Sequence, residues 1–125
     1  MKSRLLLAPE SFGRAAVFLQ QARPLEQALF AFFFGRGPAE PVRAALRYFQ
    51  NNDGGFHSLE ADIGFAASSV LSTCRALHIL RELATPATNP LVQQALEYLL
   101  AAYDEAHAVW PIIPAHDNSQ PHAPW

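Results

Sequence analysis

The chain has 125 residues, of which half are hydrophobic and 16% charged, and its net charge at neutral pH is −2. That is about one domain's worth of chain, apolar enough to bury a single core and too short for two. No Lys/Arg stripe or cluster marks a nucleic-acid or anionic-membrane surface, and the longest apolar run, Ala28 to Phe34, is far shorter than the roughly 20 residues a membrane span needs.

The opening MKSRLLLAPESFG sets basic residues before a short apolar patch, Leu5 to Ala8, below the roughly 7 to 15 residues of a signal-peptide core. It reads as the mature start of a cytoplasmic protein. A single cysteine, Cys74, leaves no intrachain disulfide to form and fits that compartment.

Apolar residues recur at helical spacing and no alternating run survives, which predicts an all-α fold. The first helix is expected from about Glu10 to Ala22, with Ser11 near its cap. Pro24 starts a second, to Phe34, closed by GRGP. Its four phenylalanines, Phe30, Phe32, Phe33 and Phe34, surround the helix, and core packing is their expected role. A third helix, Pro41 to Gln50, puts Val42, Ala45, Leu46 and Phe49 on one stripe and Arg43 and Arg47 opposite.

A fourth helix, about Phe65 to Leu83, is apolar around most of its circumference and is expected inside. Cys74 and His78 lie four apart on it, and a buried thiol with a hydrogen-bonded histidine is expected in preference to a two-ligand metal site. The fifth, Pro90 to Tyr103, sets Leu91, Val92, Ala95, Leu96, Leu99 and Ala102 against Gln93, Gln94 and Glu97.

The third and fifth helices share a pattern. PVRAALRY and LVQQALEY align Val42 with Val92, Ala45 with Ala95, Leu46 with Leu96 and Tyr48 with Tyr98, every pair fifty residues apart. This is an internal repeat of helix, corner and helix. Its second copy breaks off after Trp110 into PIIPAHDNSQPHAPW, which cannot form a helix. Because such repeats do not bury their apolar faces alone, the fifth helix is expected to need cover, either from the remainder of a longer chain or from a second copy in a homo-oligomer.

The phrases RPLEQALFAFFFGRGPAE, QNNDGGFHSLEADI, SSVLSTCRALHILREL and VWPIIPAHDNSQPHAPW resemble a bacterial family described as prenyltransferase-like or terpenoid-cyclase-like. The resemblance runs from near Arg23 to the end. It implies an α/α toroid, concentric rings of outer and inner helices around a cavity, of which this chain would cover part. In such repeats a Gln and a DGG-plus-aromatic corner join outer to inner helix, and Gln50, Asp53, Gly54, Gly55 and Phe56 stand in that place. An apolar or isoprenoid-like small molecule is the ligand the resemblance implies.

The corner NNDGGF itself reads as turn chemistry, with glycines free to take positive φ and Asp53 able to accept from nearby amides. Glu60 and Asp62, two apart and so on one side of an extended segment, are the candidate catalytic pair, as general acid and base or as holders of a cationic group. Their competing role is at the fourth helix's start, Asp62 as cap and Glu60 at the positive end. His57, Trp110, His116, Asn118, His122 and Trp125 are the candidate ligand-binding residues, the last four on a segment able to fold over a cavity.

Other chemistry is poorly matched. LEADIG lacks the DxDD acid spacing of class II cyclases, and Gly64 stands where protein prenyltransferases carry the zinc-binding cysteine two residues after an aspartate. No phosphate-binding glycine loop, nucleophile motif or metal-ligand set stands out, so no cofactor or metal is expected. Two further readings stay open: a carboxylate-dependent carbohydrate-active enzyme, and a non-catalytic helical scaffold for another chain.

Overall fold

The structure, a computed structural model, describes residues 6–61 and 64–112. They form five helices, α1 (Pro9–Gln20), α2 (Pro24–Phe34), α3 (Glu40–Arg47), α4 (Val70–Glu82) and α5 (Pro90–Ala102). Among the described residues the only extended pairings are isolated bridges, Gln50 with Phe56, Phe56 with Ser69 and Asp104 with Val109. The fold is all-α, and no described helix is long and apolar enough to cross a membrane.

The chain divides into two compact units, Met1–Ala45 and Leu46–Trp125. In the first, α1 and α2 pack together. Each begins with proline in its first turn, where the missing N–H costs nothing and φ is already helical. α1 starts at Pro9 after Ala8, with no side-chain cap, so the expected Ser11 cap does not form. At the start of α2 the Arg23 guanidinium grips Glu26, Nε to Oε2 at 2.9 Å and Nη2 to Oε1 at 2.6 Å. Hydrogen bonding to Arg23 holds the Glu26 carboxyl below its ordinary range.

The expected phenylalanine core is not what forms. Leu25 is the one fully buried residue of α2, while Phe33 and Phe34 are exposed and Phe30 and Phe32 half-buried. Phe12, Phe30 and Phe34 instead make a partly solvent-facing ring cluster, with centroids 5.2 to 6.0 Å apart. A helix with aromatics all round cannot bury them all against α1, the helix it packs on most closely.

In the second unit α4 packs on α5. Phe56, Phe65, Ala76, Ile79, Leu80, Leu83, Leu91 and Ala95 are buried there. α4 begins at Val70, later than the apolar run suggested, because Ser69 caps it: Ser69 Oγ accepts from the Ser72 amide at 3.0 Å. Asp62, the expected cap, lies outside the described residues. Nor is α4 apolar all round, since Cys74, Arg75, His78, Arg81 and Glu82 are exposed and the buried side is Ser72, Thr73, Ala76, Ile79 and Leu80. Cys74 and His78, expected inside, lie on the outer face.

The helix stops in a Schellman arrangement, Ala84 N–H to Arg81 O and Thr85 N–H to Leu80 O, with Ala84 at φ 51° in the position glycine usually fills. α5 starts with Pro90 behind an Asn89 cap that accepts from Leu91 N–H at 3.0 Å.

Candidate functional site

The corner after α3 is densely hydrogen-bonded. α3 ends at Arg47, three residues earlier than its apolar stripe suggested, and the chain turns at Tyr48 and Phe49. Asn51 N–H then bonds Gly55 O at 2.8 Å and Gly54 N–H bonds Asn51 O at 3.0 Å. Asp53 Oδ1 accepts from the Gly55 amide at 2.9 Å and from the Ser68 hydroxyl at 2.7 Å. Turn chemistry thus accounts for this aspartate.

Side-chain amides tie the corner to its neighbours. Gln50 Nε2 donates to Gly54 O at 3.0 Å and to Leu91 O, in the first turn of α5, at 3.2 Å. Asn51 Nδ2 donates to Ala66 O and to Ser68 Oγ. On the far side Phe56 is fully buried, its N–H bonded to Thr73 Oγ1 at 2.9 Å and its carbonyl accepting from Ser69 N–H. Thr73 passes its own hydroxyl proton to Ser69 O at 2.7 Å. Corner, α4 and α5 are one bonded assembly, and Tyr98 closes over it. Burial, with the nearby Asp53 charge second, pushes the Tyr98 hydroxyl above its ordinary pKa.

The candidate residues follow this corner. His57 N–H bonds Phe49 O at 3.0 Å, and the half-buried ring lies 5.7 Å from the Phe49 ring. Its Nδ1 is 3.0 Å from Ser58 Oγ. Ser58 sits at φ 55° and donates its hydroxyl to Phe65 O at 3.2 Å. Leu59 N–H reaches Ser72 Oγ at 3.3 Å. Glu60 is half-buried, and its side chain makes no hydrogen bond or ion pair among the described residues. Asp62 lies outside the described residues, as do His116, Asn118, His122 and Trp125.

Trp110 is engaged elsewhere. Its Nε1 donates to Leu99 O at 2.7 Å, and its ring packs on Tyr103 with centroids 4.6 Å apart. The turn before it is closed by Asp104, whose carboxylate accepts from His107 N–H and contacts His107 Nδ1 at 2.8 Å. The hydrogen bond with the His107 side chain holds the Asp104 carboxyl below its ordinary pKa.

A cleft of about 310 Å³ opens between the corner and α5, lined by Arg47, Gln50, Asn51, Asn52, Pro90, Leu91 and Gln94. Neither His57 nor Glu60 lines it. Of its donors, Gln50 and Asn51 are engaged on carbonyls and Ser68, and the Leu91 amide on Asn89. Among the described residues no three His, Cys, Asp or Glu side chains gather as metal ligands.

Sequence reasoning passed over Ser58, Ser68, Ser69 and Thr73, which hold the corner to α4. Their signal was a run of hydroxyl residues inside an apolar stretch, where a side chain without a bonding task would cost stability. Comparison of the chain with family models, with curated proteins and with solved structures finds no match.

Proposed function

We propose that this chain is an arc of an α/α toroid of the prenyltransferase-like or terpenoid-cyclase-like kind, completed by further repeats or by another copy. In the completed form it binds an apolar, isoprenoid-like ligand with Glu60 at the cavity mouth. The observation that carries this reading is the pair of hydrogen bonds donated by Gln50 Nε2, which joins the Gly54 carbonyl of one corner to the Leu91 carbonyl of the next helix of the repeat. Glu60 supports the ligand part, being half-buried on the segment that leads to α4 with no partner among the described residues.

The test is light scattering on the 125-residue chain, followed by titration of the well-defined species with farnesol, read by tryptophan fluorescence. The expected result is saturable binding that Glu60→Gln weakens several-fold without moving the melting temperature. A well-folded species that ignores farnesol, or binds it equally after the substitution, refutes the ligand reading.

A second reading, a non-catalytic scaffold, draws on a separate observation: Leu96 is 43% and Leu100 75% exposed on α5. On this reading Leu96→Lys with Leu100→Lys abolishes association of the chain while leaving its helix content intact. The carbohydrate-enzyme reading keeps only Glu60 of its two carboxylates within the described residues and gains no support.

A further inference from the structure

The geometry points to Ser58 as a positioning residue that fixes His57 as the Nδ1–H tautomer. Nε2 is thereby left as a lone-pair acceptor for a ligand's hydroxyl or ammonium group, and this inference rests on the ligand-binding reading above. The argument is one of proton counting. Ser58 has one hydroxyl proton, and the carbonyl of Phe65, 3.2 Å away, can only accept it. The contact of 3.0 Å between Ser58 Oγ and His57 Nδ1 is then satisfied only if the imidazole donates. In a neutral ring the proton on Nδ1 leaves Nε2 unprotonated, so the partner of one nitrogen sets the role of the other.

Three features hold this arrangement in place. The His57 backbone is anchored by its N–H on Phe49 O, and the Phe49 ring flanks the imidazole. Ser58 is held at φ 55°, a conformation serine adopts at a cost, which keeps the hydroxyl between the imidazole and Phe65 O. No described residue bonds His57 Nε2. A neutral imidazole acceptor suits a head group that donates, an alcohol or an amine.

The test reads the tautomer directly. Long-range proton–nitrogen correlation spectra of the 15N-labelled chain, taken at alkaline pH where imidazoles are neutral, distinguish the two tautomers, and the signal lost in His57→Gln assigns this ring among the five histidines. The expected result is a protonated Nδ1 in the native chain, with the tautomer ratio moving roughly fivefold toward Nε2–H in Ser58→Gly, the change one ordinary hydrogen bond makes. Glycine is the chosen replacement because it accepts positive φ without strain. Ser58→Ala is the second variant and should give the same shift. A native Nε2–H ring, or a ratio indifferent to both substitutions, overturns the inference.

The ligand arm uses farnesol and its methyl ether, which lacks the donor. Ser58→Gly should weaken farnesol several-fold and leave the ether unchanged, and equal losses for both would overturn the donor assignment. If the native chain binds neither compound, the site reading falls while the tautomer result is still decided by the spectra.

Discussion

Replacing Gly54 with alanine is the sharpest test of how the corner meets α5. Gly54 has φ 86°, and a Cβ built on it would lie 2.2 Å from the carbonyl oxygen of Gln94 and 2.8 Å from its carbonyl carbon. Both atoms belong to the α5 backbone, so no rotamer change relieves the overlap. The left-handed conformation costs an L-residue about 1–2 kcal/mol, and overpacking a close contact adds about 1–3. Reduced freedom of the unfolded chain returns roughly 0.4–1 kcal/mol, so the expected net loss is about 1–5 kcal/mol. Urea unfolding followed by circular dichroism reads this as a lower midpoint at an unchanged slope. Gly13→Ala is the control, since Gly13 lies inside α1 with nothing within 4 Å of its virtual Cβ, and it should stabilise by roughly 0.5–1 kcal/mol. Two substitutions of one kind with opposite signs are expected. If both shift the midpoint alike, or if Gly54→Ala is neutral, the close approach of corner to helix is not as argued.

Thr73→Val keeps the shape of a fully buried side chain but strips the acceptor from the Phe56 amide, which should cost about 1–3 kcal/mol for an unsatisfied buried donor. Amide exchange at Phe56 should accelerate by more than at α5 residues, and uniform acceleration would argue against a local bond. Ala84→Gly, at the φ 51° stop of α4, should stabilise by about 0.5–1 kcal/mol, the relief of left-handed strain less the added unfolded-state freedom; a lower urea midpoint would contradict it. Tyr98 titrates above its ordinary pKa because of burial first and Asp53 second. The raised folded value means its contribution to stability is complete below the unfolded tyrosine range and is lost as pH rises through the folded pKa. Asp53→Asn should bring the Tyr98 absorbance transition to lower pH, and an unmoved transition would exclude the Asp53 charge as a cause.

What could be read from the sequence was what adjacent residues decide among themselves. Pro24 and GRGP bracket α2 at Pro24 and Phe34, matching its observed limits, because start and stop chemistry is local. NNDGGF gave its turn for the same reason, as Asp53 caps the Gly55 amide two residues on. The start of α4 was misplaced by five residues, since Phe65 belongs to the apolar run and Ser69 to the helix cap. Periodicity weighs side chains but does not see which hydroxyl meets which amide. Burial was less accessible still. Phe33, Phe34 and Cys74 look like core residues by type, yet they are exposed, because burial depends on what another element places opposite. In the candidate site, residue type singles out Glu60 and His57, while Ser58 carries no signal beyond its place beside His57.

The fifty-residue repeat shows the same limit and carries a physical consequence. Ala45 and Ala95 are both buried, so the repeated small residue marks the inward side of each helix. Leu46 is fully buried while Leu96 is 43% exposed, and Tyr48 is 84% exposed while Tyr98 is half-covered. Identical residues at matched positions differ because their neighbours differ. For Tyr98 the neighbour is known: a Cβ on Gly55 would lie 2.8 Å from its ring, so the tyrosine closes on bare backbone that only glycine provides. The second corner has no such opening. Between Asp104 and Val109 it reads Glu105, Ala106, His107 and Ala108, with Ala108 at φ 55°, so every position carries a side chain. A helix seated there would have to stand off by about the width of a methyl group, or meet the turn through side chains instead of backbone. The two corners share a place in the repeat but are not interchangeable as seats. The first is built for close contact with a helix, and the second would not admit a helix backbone as closely as the first admits α5.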